Sequence, residues 1–320
     1  MELQPDAPPA PVPSDNRDWS ELPLVALTSI LAGLGAVDVL MGAGLVCHSW
    51  LGAAKTPELW CEVEMGRGPR DKKVMDMDED IDLDLSSQGS AFASRMLPRQ
   101  PRDHYTGENR EAMCAMAKVA VDRSDGNLEV FVGAHFVTDE ILDYIGARSP
   151  SLKRLALVSC EEVSCDGFTD LVNKCPLLED IEVSGCKHVG GHAMVAAGRA
   201  CPRLTRLVLN KPWRRRWDRW DAAGILSMRE LRHLRISRSE IRNEELMAVV
   251  DGCPFLEHLS VAECSNIVVD DALRAKCATV KTLELPACQD LDDLDAYEYG
   301  SLSYFVQVDN AWMSDPAWMA

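Results

Sequence analysis

The sequence predicts an α/β fold in two parts, a small N-terminal all-α bundle followed by a curved α/β solenoid of about seven short repeats. Two observations predict the solenoid. One line of sequence recurs with a period of 24 to 27 residues, and each copy joins a two-residue alternation of aliphatics to a stretch with helical spacing. A third observation, a break in composition, separates the two parts. The chain's 320 residues, 47% apolar and 26% charged, are enough to bury a substantial core.

From the N-terminus, residues 1–17 hold five prolines within the first thirteen positions and have little to bury, so a disordered leader is expected. Residues 18–65 are apolar. Between Leu24 and Cys47 the only charge is Asp38, which raises the question of a membrane span. Thr28, Ser29, Gly33, Gly35, Gly42, Gly44 and a charge near the middle argue against one. Residues 66–110 read as a flexible linker: Asp71 to Asp84 holds seven acids and two lysines, and the part that follows is rich in Ser, Arg, Pro and Gly. Residues 111–300 carry the repeats, and 301–320 are expected to form a C-terminal cap or tail.

Within the repeat region, the lines Ser149 to Cys160, Cys175 to Cys186 and Cys253 to Cys264 fall on one template, and weaker copies start at Cys201 and Cys277. Leu128, Leu152, Leu178, Leu204, Leu231, Leu256 and Val280 mark its first aliphatic slot. The L-x-L alternation is a short strand with one buried face, and the helical spacing after it supplies a cover for that face. A single unit cannot bury both surfaces. Stacked units can, with strands on the concave side and helices on the convex side.

These repeats resemble the cysteine-containing class of leucine-rich repeats, whose pattern opens C-x-x-L-x-x-L-x-L-x-x-C. Cys175, Leu178, Ile181, Val183 and Cys186 match it, as do Cys253, Leu256, Leu259, Val261 and Cys264. A small, half-polar thiol suits a tight interior slot, so packing is the role expected of these cysteines. With no charged and apolar leader at the N-terminus, the twelve thiols are expected to be reduced, in nucleus or cytoplasm.

Residues 18–64 resemble an F-box. Leu22-Pro23, Ile30-Leu31, Leu34, Asp38-Val39-Leu40, Val46-Cys47, Trp50 and Pro57-Glu58-Leu59-Trp60 take that motif's positions in order. The sequence departs at Val25, where an acidic residue often follows the Leu-Pro. An F-box with cysteine-type leucine-rich repeats resembles a plant family, and the likeness covers about 220 of the 320 residues. It implies a substrate-recruiting subunit of an SCF-type (Skp/cullin/F-box) ubiquitin ligase. Its partners would be a Skp-type adaptor, cullin through that adaptor, and a protein substrate. Leu22, Pro23, Ile30, Leu31, Leu34, Val39, Leu40 and Trp60 are the residues the likeness assigns to the adaptor, the alternative being the bundle's own core. A scaffold that binds the adaptor without targeting substrates is the other reading.

Composition and motifs narrow the remaining classes. With 51 acidic against 33 basic residues, a phosphate-backbone binder is disfavoured, so neither nucleic acid nor membrane is expected as a partner. Of the net −18, the segment Asp71 to Asp84 contributes −5 and residues 282–320 contribute −8, so the acidity belongs mostly to flanking segments. The sequence has no C-x-x-C zinc pair and no Gly-rich phosphate loop. His188 and His192 could clamp a metal on a helix, but Gly190 and Gly191 lie between them. Cys47 and His48 would point about 100° apart on a helix. No catalytic residue, metal or cofactor is therefore expected. For substrate, the template puts its positions 3, 5 and 7 on the concave face, because 1, 4 and 6 point inward. Arg154, Arg206, Arg235 and His258 stand out there. Trp213, Trp217 and Trp220, spaced i, i+4, i+7 among four arginines, form a second candidate surface or a packing stripe.

Overall fold

The computed structural model describes residues 18–66, 107–211 and 219–286, without the side chains of 107, 108 and 219–221. The expected leader 1–17, the acidic part of the linker, Trp213, Trp217 and the segment after Pro286 lie outside the described residues. Trp220 is described only as part of a helix backbone.

Three short helices lie near the start of the described residues: α1 (Leu24–Ala32), α2 (Ala36–Met41) and α3 (His48–Ala53). Glycines punctuate them, with Gly33 at the end of α1, Gly35 ahead of α2 and Gly42 after it. A short 3-10 turn, Trp19–Glu21, is pinned to α3 by bonds from Trp50 Nε1 to the Trp19 carbonyl (3.0 Å) and from Ser49 Oγ to the Ser20 carbonyl (2.8 Å). Among the described residues, no helix is long and apolar enough to cross a membrane.

Strands and helices then alternate. The strands are β1 (Glu62–Met65), β2 (Val130–Ala134), β3 (Arg154–Val158), β4 (Asp180–Ser184), β5 (Arg206–Asn210), β6 (His233–Ser237), β7 (His258–Ala262) and β8 (Thr282–Glu284). Between them run α4 (Gly107–Arg123), α5 (Asp139–Arg148), α6 (Cys165–Lys174), α7 (Gly191–Ala200), α8 (Arg219–Ile225), α9 (Asn243–Gly252) and α10 (Asp271–Cys277). All eight strands lie parallel in chain order, the topology of a solenoid in which each unit touches only its neighbours. The fold class is the one the repeats predict. The register is strict: Arg154, Asp180, Arg206, His233, His258 and Thr282 stand side by side, so a template position becomes a row across the concave face.

One strand is additional to the seven units counted from the sequence. β1 belongs to residues 18–65, yet it is the first strand of the same sheet, with Glu62 against Val130 and Met65 against Gly133. Stepping back two residues places Trp60 beside Leu128, so Trp60 fills the first aliphatic slot of the template. Likewise α4 begins at Gly107, inside the span expected to be linker.

The repeat cysteines do more than fill space. Cys160 donates to the Gly133 carbonyl (3.4 Å), Cys186 to Leu157 (3.5 Å), Cys175 to Ser149 (3.7 Å) and Cys253 to Ile225 (3.7 Å). Each acceptor lies in the preceding unit. A thiol is therefore a weak stitch between neighbours as well as a small apolar filler. Burial pushes the thiols of Cys175 and Cys253 up to about 11 and that of Cys201 to about 12, which keeps them protonated as donors. The eleven cysteines among the described residues are all free thiols.

Candidate functional site

Two surfaces stand out, one on the helical bundle and one on the concave face. Helix α1 is apolar nearly all round, the signature of a helix covered on both sides. Leu27 and Leu31, one turn apart, enter the core with Val39 and Trp60. Its other side faces solvent: Leu24, Val25 (76% exposed) and Ile30 are joined there by Leu34, Met41, Leu45 (69%) and Val46. Eight of the thirteen large apolar side chains exposed among the described residues lie between Trp19 and Val46. Such a concentration in one short stretch of the chain exceeds ordinary scatter.

The structure divides the residues assigned to the adaptor. Leu31, Val39 and Trp60 are 1%, 4% and 1% exposed, so they belong to the core and cannot meet a partner. Pro23, Ile30 and Leu34 are exposed, and Leu22 and Leu40 are half-buried. Leu24, Val25, Met41 and Leu45 are not among the residues that the likeness assigns to the adaptor. Periodicity does not separate Leu24 and Val25 from the core, because a helix apolar nearly all round carries no clear inward stripe.

Trp60 joins the bundle to the solenoid. Its Nε1 donates to the Ala54 carbonyl at the end of α3 (2.9 Å). Arg123, at the end of α4, lies over its ring with the guanidinium carbon 5.1 Å from the centroid, and donates to the same carbonyl (3.2 Å). Cys61 accepts the amides of Glu129 and Val130 just as Glu129 accepts those of Lys153 and Arg154 in the next unit. The solenoid's hydrogen-bond ladder thus begins inside the bundle.

On the concave face, Arg154, Asp180, Arg206, His233 and His258 form one row. A single Asp180 oxygen sits 3.2 Å from Arg154 Nε and 2.8 Å from Arg206 Nη1. Two guanidiniums thus share one carboxylate. The imidazoles of His233 and His258 stack, with centroids 4.3 Å apart and planes inclined by 16°. Burial, with His258 and Arg206 alongside, holds the His233 pKa down to about 4, so its ring is neutral near pH 7. The next row places Glu182, Val208, Arg235 and Ser260 side by side. These four are buried, because in-register strands less than 5 Å apart shield the centre of a concave floor. Of these, Arg235 was expected on this face from the template. Arg206, His233, Arg235 and His258 line one shallow depression.

Other candidates do not assemble. Helix α7 starts at Gly191, so His188 lies outside it and does not share its face with His192. Cys47 is the extended residue ahead of α3, not a helical neighbour of His48. No group of three metal-ligating side chains occurs among the described residues.

Comparison with known proteins agrees with this architecture. Residues 178–296 match the family description "FBD-associated F-box protein At5g56370, LRR repeats". The chain is 31% identical over 306 residues to the F-box protein SKIP19 of Arabidopsis thaliana, covering 92% of this chain and 89% of that one. The chain belongs to the plant F-box/LRR-repeat proteins. It is also 34% identical over 283 residues to Arabidopsis F-box/LRR-repeat protein 23, covering 87% of this chain but only 55% of that longer relative. Arabidopsis F-box/LRR-repeat protein 21 is 30% identical over 295 residues, with 85% and 83% covered. In this F-box/LRR-repeat chain, the residues matched to the repeats hold β4 to β8.

Proposed function

We propose that this F-box/LRR-repeat protein is a substrate-recruiting subunit of an SCF-type ubiquitin ligase. The bundle seats a Skp-type adaptor, the adaptor binds cullin, and the concave face holds a protein substrate. The observation that carries this reading is the apolar surface around Val25, Met41 and Leu45 on a bundle whose own core is already complete. A surface of that kind is stable in water when a partner covers it. The chain supplies position and no catalytic group. Holding a substrate lysine near the charged ubiquitin-conjugating enzyme raises its effective concentration, and the shared core at Trp60 keeps that distance from being lost to a flexible joint.

The test is co-purification from plant cells followed by turnover. The intact chain should recover both adaptor and cullin, and blocking the ligase should make at least one bound protein accumulate. The double variant Val25→Asp/Leu45→Asp should recover neither. Recovery of adaptor without any protein accumulating would support the scaffold role instead.

A further inference from the structure

The last unit of the solenoid is open where the others are closed. The residue three places after the anchor is at most 2% exposed in six successive units, from Phe131 on β2 to Leu259 on β7, but Leu283 on β8 is 36% exposed. Leu285, the next inward position, is half-buried, whereas Ile236 and Val261 in that slot are fully covered. One edge of β8 pairs with β7, and no described strand pairs with the other. An unpaired edge beside apolar side chains is a template for a further strand.

The sequence after Pro286 continues the template. Counted from the anchor Val280, Cys288 falls in the slot of Cys160, Cys186 and Cys264, and Leu291 in that of Val163, Val189 and Ile267, all six of them buried. A further alternation follows. Val306 and Val308 come 23 residues after Leu283 and Leu285, close to the 24 that separate those two from Leu259 and Val261. The match to the repeat family also runs past Pro286, to residue 296. Charge agrees. Neighbouring units pair across their helices, as Lys276 on α10 does with Asp251 on α9, and Arg274 on α10 is exposed beside a segment, 287–320, that holds seven acids and no Lys or Arg.

We infer that residues 287–309 form one more unit and close this end of the solenoid, with 305–309 as a parallel strand on the free edge of β8. Val306 and Val308 extend the inward rows of Leu283 and Leu285 and take them out of water. Cys288 meets the Val261 carbonyl as Cys264 meets that of Ile236 (3.9 Å), and the acids between Asp290 and Glu298 face Arg274. The concave face gains a strand, with Phe305 beside Thr282 and Gln307 beside Glu284. Stacked units require such a cover, because each buries its core only against a neighbour. Tethering selects this segment over a second copy, since its effective concentration at β8 exceeds that of a separate molecule. The inference is independent of the ligase reading.

The experiment uses the full chain, with iodoacetamide labelling and hydrogen exchange both read by peptide mass spectrometry. Cys288 should label at least tenfold more slowly than the partly exposed Cys47, and the β8 amides should be protected. Val306→Asp/Val308→Asp alters no described residue. It should speed β8 exchange and Cys288 labelling at least tenfold while leaving exchange in β4 unchanged, and Met313→Asp, beyond the added strand, should change none of these. Light scattering should report a monomer. Labelling of Cys288 as fast as Cys47 would overturn the inference, as would β8 exchange indifferent to the double variant. A dimer whose β8 amides lose protection on dilution would assign the edge to a second copy and overturn it too. None of these readouts involves adaptor or ubiquitin transfer, so either result leaves the receptor role to its own test.

Discussion

The bundle and the solenoid meet water in opposite ways. In the bundle, Leu24, Val25, Met41, Leu45 and Val46 are left exposed over a core that is already filled. In the solenoid, strands β2 to β7 turn aliphatics inward, and charged side chains pair between neighbouring units, as Lys187 does with Glu161 and Lys174 with Asp143 (2.5 Å each). The same contrast holds for cysteine. Cys47 in the bundle is partly exposed, and the Ser49 hydroxyl lowers its pKa, whereas burial raises those of Cys175 and Cys201 in the repeats. One region leaves apolar side chains in water, and the other buries them beneath a patterned floor.

The contrast is one of surface, not of independent folding units, and the largest expected effect tests that point. Trp60→Ala removes a side chain shared by both regions, with its bond to Ala54 and its contact with Arg123. A loss of about 4 kcal/mol is expected. Calorimetry should show one lowered transition, because a single core runs from Leu27 to Val280. Two separated transitions would mean that the regions fold separately.

Next in size is Gly224→Val, confined to the solenoid. A Cβ at Gly224 would stand 2.7 Å from the Met194 backbone carbon, where α7 and α8 touch. Overpacking there should destabilise by about 3 kcal/mol in chemical denaturation and leave adaptor binding intact under folding conditions. Removing one stitch is milder. Cys201→Ala gives up contacts to the Val172 and Cys175 carbonyls (3.8 and 3.7 Å) and should lower stability by about 1.5 kcal/mol.

The smallest effect at neutral pH is a titration. The folded pKa values of Cys175, Cys201, Cys253 and Cys264 lie at about 11, 12, 11 and 11, above the ordinary 9.0. The contribution of these buried thiols is complete below pH 9 and lost as the pH rises through 11 to 12, because the unfolded chain then releases protons that the folded chain retains. Denaturation midpoints should fall over that window. Alkylation of the native protein at pH 8 should label Cys47 ahead of the repeat cysteines.

The solenoid was legible in the sequence because it repeats: the slots from Leu128 to Val280 sit 24 to 27 residues apart, and each copy corroborates the next. β1 escaped because its slot residue, Trp60, lies 68 residues before Leu128, with the acidic segment between them. Its signal was the alternation Glu62, Val63, Glu64, Met65, which is too short to stand alone. The rows of the concave face followed from strand periodicity, so Arg154, Arg206, Arg235 and His258 were found together. Their burial was not, because shielding depends on neighbouring strands rather than on a strand's own pattern. In the F-box, motif positions mixed core with surface: Leu31, Val39 and Trp60 match the motif as well as Ile30 and Leu34 do, yet only the second pair reaches solvent.

The proposed seat of the Skp-type adaptor is the exposed apolar face of the bundle, and nothing on the solenoid. It is tested most directly by calorimetric titration of the purified adaptor into the full chain and two variants that melt like it. Val25→Asp/Leu45→Asp should lose affinity at least 100-fold, and Arg206→Gln should bind as the intact chain does. Unchanged affinity in the first variant, or a comparable loss in the second, would contradict the account.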